Sequence, residues 1–387
     1  MSAYVPFNRP HATAAEFDYM RAAIANGHLA GGGPFARRCE EWLEREIGAE
    51  RALLTHSGTA ALELAAILAE LEPGDEVVMP SFSFVSTANA FALRGAVPVF
   101  ADISPDTLNL DPEQVEAAIG PRTRAIVPVH YAGVGADLDQ IGAIARRHDV
   151  LMIEDAAHAL PASRAGVPLG GSGAFAALSF HETKNLTCGE GGALLVNDAA
   201  LVERAERAHD KGTDRAAFFR GEVTAYSWTA LGSSFAPSEL EAAFLWAHLE
   251  RAQAITSERL GIWERYHERF EALEAEGFAR RPVVPADCSH NAHIYYLLLP
   301  EPAQRDPLLE QLERRGVNAV FHYVPLHSSP AGRRLGRSVG ELSVTDRTAA
   351  SLVRLPLWCG MQEQQVEQVV DAVEETLMGG RSPATAT

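Results

Sequence analysis

Short apolar runs alternate with helix-length segments between residues 57 and 200, and this alternation restricts the chain to few folds. The apolar runs have strand length and are separated by turn-forming residues. They are EVVMP (76–80), VPVFAD (97–102), AIVPVH (125–130), LMIED (151–155) and AFAALSF (174–180), followed by GGALLVND. Strand and helix signals that alternate in this way predict an α/β fold, with a largely parallel sheet covered by helices on both faces.

The pattern changes in the last third of the chain. A long helical stretch from Ser238 to about Glu276 ends before the proline-flanked PVVP (282–285). Beyond it, strand and helix signals indicate a small α+β unit. These signals are IYYLLLP (294–300), a helix at about 306–315, VNAVFHYVP (317–325) and a last helix after Met361.

The length of 387 residues favours two hydrophobic cores over one. We therefore predict a large domain over residues 1–250, which includes an N-terminal arm, and a small C-terminal domain over residues 251–378. Residues 379–387, which are rich in small and polar side chains, are expected to be a disordered tail.

The charge balance excludes several classes of partner. The formal net charge is −18, which argues against nucleic acid and against an anionic membrane surface. No apolar run approaches the roughly 18 residues of a membrane span, and the N-terminus lacks the pattern of a signal peptide. We expect a cytoplasmic protein that binds small molecules.

A metal site is not expected. The four cysteines lie far apart in the sequence and form no C-x-x-C pair. The stretch HETKN (181–185) lacks the second histidine of H-E-x-x-H. His322 and His327 have no accompanying cluster of carboxylates or thiols.

Two ionisable residues are expected at the carboxyl ends of strands, where open α/β sheets bind ligands. Asp155 ends LMIED, and Lys184 follows AFAALSF one strand-and-crossover unit later. An ion pair is one reading of this arrangement. A buried ammonium is costly, however, unless the amine has a partner or is neutral.

A third feature adds to this pair. HSGTAAL (56–62) opens a helix with small residues, and the free N–H groups at a helix start form a phosphate cradle. Pyridoxal 5′-phosphate (PLP) uses a phosphate cradle, a carboxylate for its ring nitrogen and a lysine amine for its aldehyde. Together, the three features predict PLP as the cofactor.

At this point the sequence resembles a known family. HSGTAAL, EDAAHAL, SFHETKNLTCGEGGALLVND and FHYVPLH are similar to motifs of the DegT/StrS sugar-nucleotide aminotransferases, from PFNRP near the N-terminus to the last helix. The resemblance implies the aspartate aminotransferase fold (PLP fold type I), with a mostly parallel sheet of the seven-stranded type in the large domain and a smaller α+β domain.

Carried over residue by residue, the resemblance assigns five positions to the cofactor. Lys184 would bind the aldehyde covalently and act as the catalytic base, and Asp155 would pair with the pyridine nitrogen. Gly58, Thr59 and Ser179 would hold the phosphate.

Three further cofactor positions follow from the resemblance. Phe84 would stack on the cofactor ring, and His158 would lie close to it, although either side chain could instead be core packing. Ser234 stands where many relatives have an asparagine that reaches the cofactor phosphate of the partner subunit. Either Ser234 takes over that contact or the contact is lost.

The resemblance also implies a homodimer with shared active sites and a nucleotide-sugar substrate. His322, Tyr323 and His327 would line the sugar pocket, with core packing as the alternative. Arg215 is a candidate for binding the substrate diphosphate.

The implied reaction moves an amino group from L-glutamate to C4 of dTDP-4-keto-6-deoxy-D-glucose. The product would be dTDP-4-amino-4,6-dideoxy-D-galactose, because KGTDRAAFFRGEVTAYSWTALGSSF (211–235) is most similar to the branch that makes it. A 3-keto or UDP-linked sugar substrate remains open. The family's dehydratase branch is one alternative, but it has a histidine in place of Lys184. A non-catalytic ligand-binding regulator is another, but it would not need both Lys184 and Asp155.

Overall fold

A computed structural model describes residues 4–379 as an α/β structure of thirteen strands and fifteen α-helices. The strands are β1 (Arg51–Thr55), β2 (Glu76–Pro80), β3 (Val97–Ala101), β4 (Thr123–Ile126), β5 (Leu151–Asp155), β6 (Ser163–Arg164), β7 (Val167–Pro168), β8 (Phe175–Ser179), β9 (Gly192–Val196), β10 (Cys288–Ser289), β11 (Tyr295–Leu298), β12 (Arg337–Ser338) and β13 (Leu352–Leu355).

The helices alternate with these strands in the first half of the chain and predominate in the second. They are α1 (Ala14–Ala25), α2 (Pro34–Ile47), α3 (Gly58–Leu68), α4 (Val85–Ala92), α5 (Pro112–Ala118), α6 (Leu138–His148), α7 (Val202–His209), α8 (Arg215–Phe219), α9 (Glu239–Glu250), α10 (Ala252–Arg269), α11 (Glu271–Ala275), α12 (Arg305–Arg314), α13 (Pro330–Leu335), α14 (Ser343–Ser351) and α15 (Glu363–Gly379).

The central sheet has the order β1-β9-β8-β5-β4-β2-β3-β12. Its neighbours pair in parallel except for β9, which is antiparallel to both β1 and β8. The predicted mostly parallel sheet is confirmed. It has eight strands, and the eighth is the two-residue edge strand β12 from the C-terminal part of the chain. Strand β1 was not predicted, because RALLT has a single β-branched residue.

Helices cover both faces of the sheet, as the alternating pattern predicts. On one face, Leu64 of α3 and Phe91 of α4 belong to the same buried cluster as Phe175 of β8. On the other face, α2 and α9 bury Leu43 and Leu249. Because β5 and β8 lie mid-sheet between these layers, their carboxyl ends are held in a fixed position.

The C-terminal unit has its own core. Strands β11 and β13 form an antiparallel pair against α10, α12 and α15. The predicted helix at 238–276 is three helices, interrupted at Arg251 and Phe270. The stretch 317–325 forms only isolated pairings, between Val317 and Val5 and between Val320 and Arg354.

The N-terminal arm contacts the C-terminal unit. The N-terminal arm is tied to the C-terminal unit by the N–H of Val5, which donates to the carbonyl of Gly316 at 2.8 Å. The tail residues 380–387 lie outside the described residues. Among the helices of the described part, none has the length and apolar character needed to cross a membrane.

Candidate active site

A cavity of about 490 Å³ opens at the carboxyl ends of β5 and β8, where sequence reasoning places the ligand. Residues from the large sheet, the C-terminal unit and the N-terminal arm line it together. The predicted site residues in its lining are Gly58, Thr59, Phe84, Asp155, His158, Ser179, Lys184, His322 and Tyr323.

The start of α3 forms one wall of the cavity. Ser57 caps the helix by accepting a hydrogen bond from the N–H of Ala60 at 3.1 Å. Gly58 lies so close to the end of β8 that an added Cβ would be 2.8 Å from the Cβ of Ser179. Glycine therefore permits the helix start and the strand end to meet, which leaves N–H donors beside two hydroxyl-bearing side chains, Thr59 and Ser179.

Asp155, at the end of β5, has a fixed carboxylate. The hydroxyl of Thr87 donates to its Oδ2 at 2.7 Å, and the N–H of Ala157 donates to its Oδ1 at 3.2 Å. Thr87 is itself hydrogen-bonded to Ser83, with 2.8 Å between their hydroxyl oxygens. The two donors fix the orientation of the carboxylate at the cavity floor.

Lys184 lies in the loop after β8, held by a hydrogen bond from its own N–H to the carbonyl of His181 at 2.8 Å. Burial lowers the pKa of the Lys184 amine to about 8, even though the charge of Asp155 raises it. The charge of Arg354 lowers it further. A large fraction of the amine is therefore neutral near pH 8, and a neutral amine can act as nucleophile and base.

Three histidine rings line the cavity, from the turn after β5 (His158), from the segment before β11 (His293) and from the segment after α12 (His322). His158 lies 4.2 Å from His293 and 6.3 Å from His322 between ring centroids. Burial, and then the charge of nearby cations, holds the pKa of all three well below the usual range, so the rings are neutral. Within the described residues, the buried Nδ1 of His158 has no hydrogen-bond partner. Tyr323 stacks on His322 at 3.5 Å.

Three predicted residues do not line this cavity. Ser234 is exposed and pairs with Asp210 through the backbone. Arg215 lies 3.6 Å from a carboxylate oxygen of Asp210. The Nδ1 of His327 forms a hydrogen bond with the hydroxyl of Ser81, with 2.7 Å between the two atoms.

The cavity also contains residues that sequence reasoning missed. Thr87, Arg259 and Arg354 line it, and so do Phe7 and Asn8 of the N-terminal arm. Thr87 lies one helical turn after SFSF, but neither arginine lies in any recognisable motif. Only the packing of distant segments brings them to the site.

The arrangement fits PLP in three ways. The backbone N–H donors beside Gly58 can bind a phosphate, and the carboxylate of Asp155 can accept a hydrogen bond from a protonated ring nitrogen. The amine of Lys184 can react with an aldehyde. No cluster of three or more metal-binding side chains occurs among residues 4–379.

The comparisons with known proteins agree with this chemistry. The model of the DegT/DnrJ/EryC1/StrS aminotransferase family matches residues 10–374. The aminotransferase TlmJ from Streptoalloteichus hindustanus is 32% identical, with 97% of this chain and 99% of that chain covered and a TM-score of 0.89. DesV from S. venezuelae is 30% identical, with coverages of 97% and 99% and a TM-score of 0.88.

A more distant structure shares the fold. PseC from Helicobacter pylori, an aminotransferase involved in the biosynthesis of pseudoaminic acid, is 24% identical and covers 97% of this chain and 100% of its own, with a TM-score of 0.88. The fold is thus of the PLP fold type I class. The chain belongs to the DegT/DnrJ/EryC1/StrS aminotransferase family and is a PLP-dependent aminotransferase.

Proposed function

We propose that the protein transfers an amino group from L-glutamate to C4 of dTDP-4-keto-6-deoxy-D-glucose, which yields dTDP-4-amino-4,6-dideoxy-D-galactose and 2-oxoglutarate. The observation that supports the chemistry is the amine of Lys184, with its pKa lowered to about 8, in one cavity with the fixed carboxylate of Asp155. The sugar and the donor are supported by the similarity of residues 211–235 to one branch of the family.

The chain's own residues would hold the cofactor at both ends. Gly58 would bind the phosphate through its N–H, and Thr59 and Ser179 through their hydroxyls. The carboxylate of Asp155 would accept the ring N–H and keep the ring nitrogen protonated. When bound, PLP supplies an aldehyde that accepts the amine and a ring that accepts the electron pair released from the donor's Cα–H bond.

Lys184 would move the proton. Its amine would be the base that removes the proton from the donor Cα. The ammonium formed in this way would hold that proton in the cavity for the next transfer. In the second half-reaction the proton travels the opposite way, to C4 of the sugar.

The remaining cavity residues would position the reactants. Phe84 and His158 would pack on the cofactor ring, and the buried, neutral His158 can do so without a charge penalty. His322 and Tyr323 would line the sugar pocket, and His327 would support that wall through Ser81. A 3-keto or UDP-linked sugar would need a differently shaped pocket but the same Lys184 chemistry.

The active protein would be a cytoplasmic homodimer. The segment 215–231, which comprises α8 and the loop after it, exposes large apolar side chains, including Trp228 at 80% and Phe219 at 72% of their surface, which supports its burial against a second copy. Arg215 and Ser234 lie on or beside this segment. They would then act at the partner's site, on the substrate diphosphate and the cofactor phosphate respectively.

The test is to incubate the PLP-loaded protein with L-glutamate and dTDP-4-keto-6-deoxyglucose and to determine the product by mass and NMR. An axial C4 amine is expected. An equatorial amine would move the enzyme to another 4-amino sugar, and conversion of the cofactor by glutamate without a sugar product would show that the sugar is wrong. A non-catalytic regulator would give neither reaction.

A further inference from the structure

A short segment of the C-terminal unit, residues 291–293, lies against the loop that carries Lys184. The side chain of Asn185, the residue after Lys184, donates from Nδ2 to the backbone carbonyl oxygen of Asn291 at 2.7 Å. The Oδ1 of Asn185 lies 2.9 Å from the Nδ1 of His293. Asn185 is 7% exposed and His293 is 8% exposed, so both hydrogen bonds are largely shielded from water.

These contacts define which nitrogen of His293 carries the proton. Because the amide N–H of Asn185 donates to a carbonyl, the amide oxygen is the atom that faces His293, and this oxygen can only accept. The Nδ1 of His293 is therefore the donor. Burial, and then the charges of His158 and Lys184, hold the pKa of His293 well below its usual range, so the ring is neutral. A neutral ring has a single N–H, and here it donates to Asn185.

The segment is itself fixed by several contacts. Arg259, which is buried, donates from Nε and Nη2 to the carbonyl oxygens of Ala292 and His293 at 3.2 and 2.9 Å. The Nδ2 of Asn291 donates to the carbonyl oxygen of His158, in the turn after β5, at 2.8 Å. Ala292 has a φ of 51°, in the left-handed region, which persists only where the surrounding contacts hold it. The segment is therefore a fixed support for the lysine loop.

The position of the Lys184 amine decides whether it can react with an aldehyde that other residues hold. In this step the amine nitrogen forms a double bond to the aldehyde carbon, and the aldehyde oxygen leaves as water with the two amine protons. A displacement of about 1 Å can slow such a reaction roughly 100-fold. The phosphate and the ring would be held by Gly58 and Asp155, whose contacts come from α4, β8 and the turn after β5. The amine depends instead on the loop that Asn185 anchors.

We propose that Asn185 and His293 are positioning residues for Lys184, because the hydrogen bond between them fixes the lysine loop so that the amine faces the cofactor aldehyde. The inference rests on the proposed role of Lys184, but not on the sugar or on the amino donor. Lys184 follows β8 of the central sheet, whereas His293 lies just before β11. The C-terminal unit thus takes part in the attachment of the cofactor.

The experiment separates covalent attachment of the cofactor from its binding. It uses the full chain, freed of PLP, as wild type and as the variants Asn185→Ala, His293→Leu and His293→Gln. Attachment is followed by the absorbance of the imine after mixing with PLP. Binding is measured by calorimetry with 4′-deoxypyridoxine 5′-phosphate, an analogue that has a methyl group in place of the aldehyde.

Asn109→Ala is the matched control. Asn109 is also buried, and its side chain also forms one hydrogen bond as donor and one as acceptor, to the carbonyl of Val134 and from the N–H of Tyr131. It lies between β3 and α5, away from the lysine loop. A loss that follows only from removing a buried asparagine should therefore occur in Asn109→Ala as well.

For Asn185→Ala and His293→Leu, we expect the rate of attachment to fall roughly 10- to 100-fold, while the dissociation constant of the analogue stays as in wild type. His293→Gln should recover most of the rate, because its amide N–H can donate to the oxygen of Asn185. The double variant Asn185→Ala/His293→Leu should lose no more than the worse single variant, since both changes remove the same bond. Asn109→Ala should attach PLP at the wild-type rate.

An unchanged rate of attachment in both Asn185→Ala and His293→Leu would overturn the inference. An equal loss of affinity for the analogue would overturn it too, because the two residues would then maintain the cavity as a whole. Additive losses in the double variant would mean that they act independently of their shared bond. If wild type forms no imine with PLP, or forms it on Lys211, the proposed role of Lys184 is wrong instead.

Discussion

The two walls of the cavity differ in how completely their polar groups are satisfied. On the sheet side, Asp155 receives two hydrogen bonds from the protein, and the start of α3 is capped by Ser57 and packed against β8. On the C-terminal side, the guanidinium of Arg354 donates to the carbonyl of Phe321, and no carboxylate among residues 4–379 lies within 4.0 Å of it.

This difference separates two tasks of the site. A wall whose groups are fixed by the protein suits a resident cofactor, since nothing must rearrange when it binds. A wall with unsatisfied groups suits substrates that exchange at each turnover, because the substrates provide the missing partners. The four predictions that follow test this division, from the largest expected effect to the smallest.

Replacement of Lys184 should have the largest effect. Lys184→Arg keeps the positive charge but offers no amine for the aldehyde and no base, so turnover should fall by roughly 10⁴-fold or more. The sequence contains a single other lysine, Lys211, which is exposed and bonded to Asp210. Lys211→Arg should retain full turnover, measured as release of 2-oxoglutarate. Comparable activity in the two variants would contradict the role of Lys184.

Asp155→Asn removes the negative charge from the sheet wall. Turnover should fall by roughly 10²- to 10³-fold, because the ring nitrogen loses its ionic partner. Asp155 raises the pKa of Lys184, so its removal should move that pKa below about 8. The amine would then become neutral at lower pH.

The pH dependence of PLP uptake by the cofactor-free protein measures this shift. In wild type the rate should rise with pH through about 8, and in Asp155→Asn the rise should occur at lower pH. A rise at higher pH in the variant would mean that the electrostatic account of Lys184 is wrong.

Gly58→Ala tests the contact between α3 and β8. The new Cβ would meet that of Ser179 at 2.8 Å, and the shift needed to relieve this contact should weaken PLP binding roughly tenfold. Gly261→Ala on α10 is the control, since nothing lies within 4 Å of its added Cβ. Fluorescence titration with PLP gives both dissociation constants. Equal affinities would argue that the phosphate binds elsewhere.

Thr87→Val should have the smallest effect. It removes one of the two donors to Asp155 but leaves the carboxylate and its second donor in place, so turnover should fall only a few-fold. Because Ala157 still donates, we expect turnover to fall less than in Asp155→Asn, while sugar affinity stays unchanged. A change in sugar affinity alone would contradict the division between the two walls.

The sheet wall was predictable from the sequence, and the opposite wall was only partly so. Asp155 and Lys184 are each tied to the end of an apolar run, and parallel strands bring such ends to one edge. His322 and Tyr323 were found only through the resemblance of FHYVPLH. Arg354 and His293 carry no local signal, because β13 and the loop before β11 reach the cavity through packing of the C-terminal unit.

The same reasoning explains the errors in the fold. The helix predicted over 238–276 breaks at Arg251 and Phe270, where no proline or glycine marks an end. Strand β12 has two residues, and its pairing with β3 is visible only once the C-terminal unit is folded. Long periodic segments and strand ends could be predicted, whereas contacts between distant segments could not.

The most direct test of the account is to reduce the PLP-loaded protein with borohydride, digest it and locate the pyridoxyl group by mass spectrometry. Since the sequence has two lysines, the assignment is unambiguous. The account predicts one pyridoxyl group per chain, on Lys184. Modification of Lys211, or no modification of either lysine in a protein that has bound PLP, would contradict it.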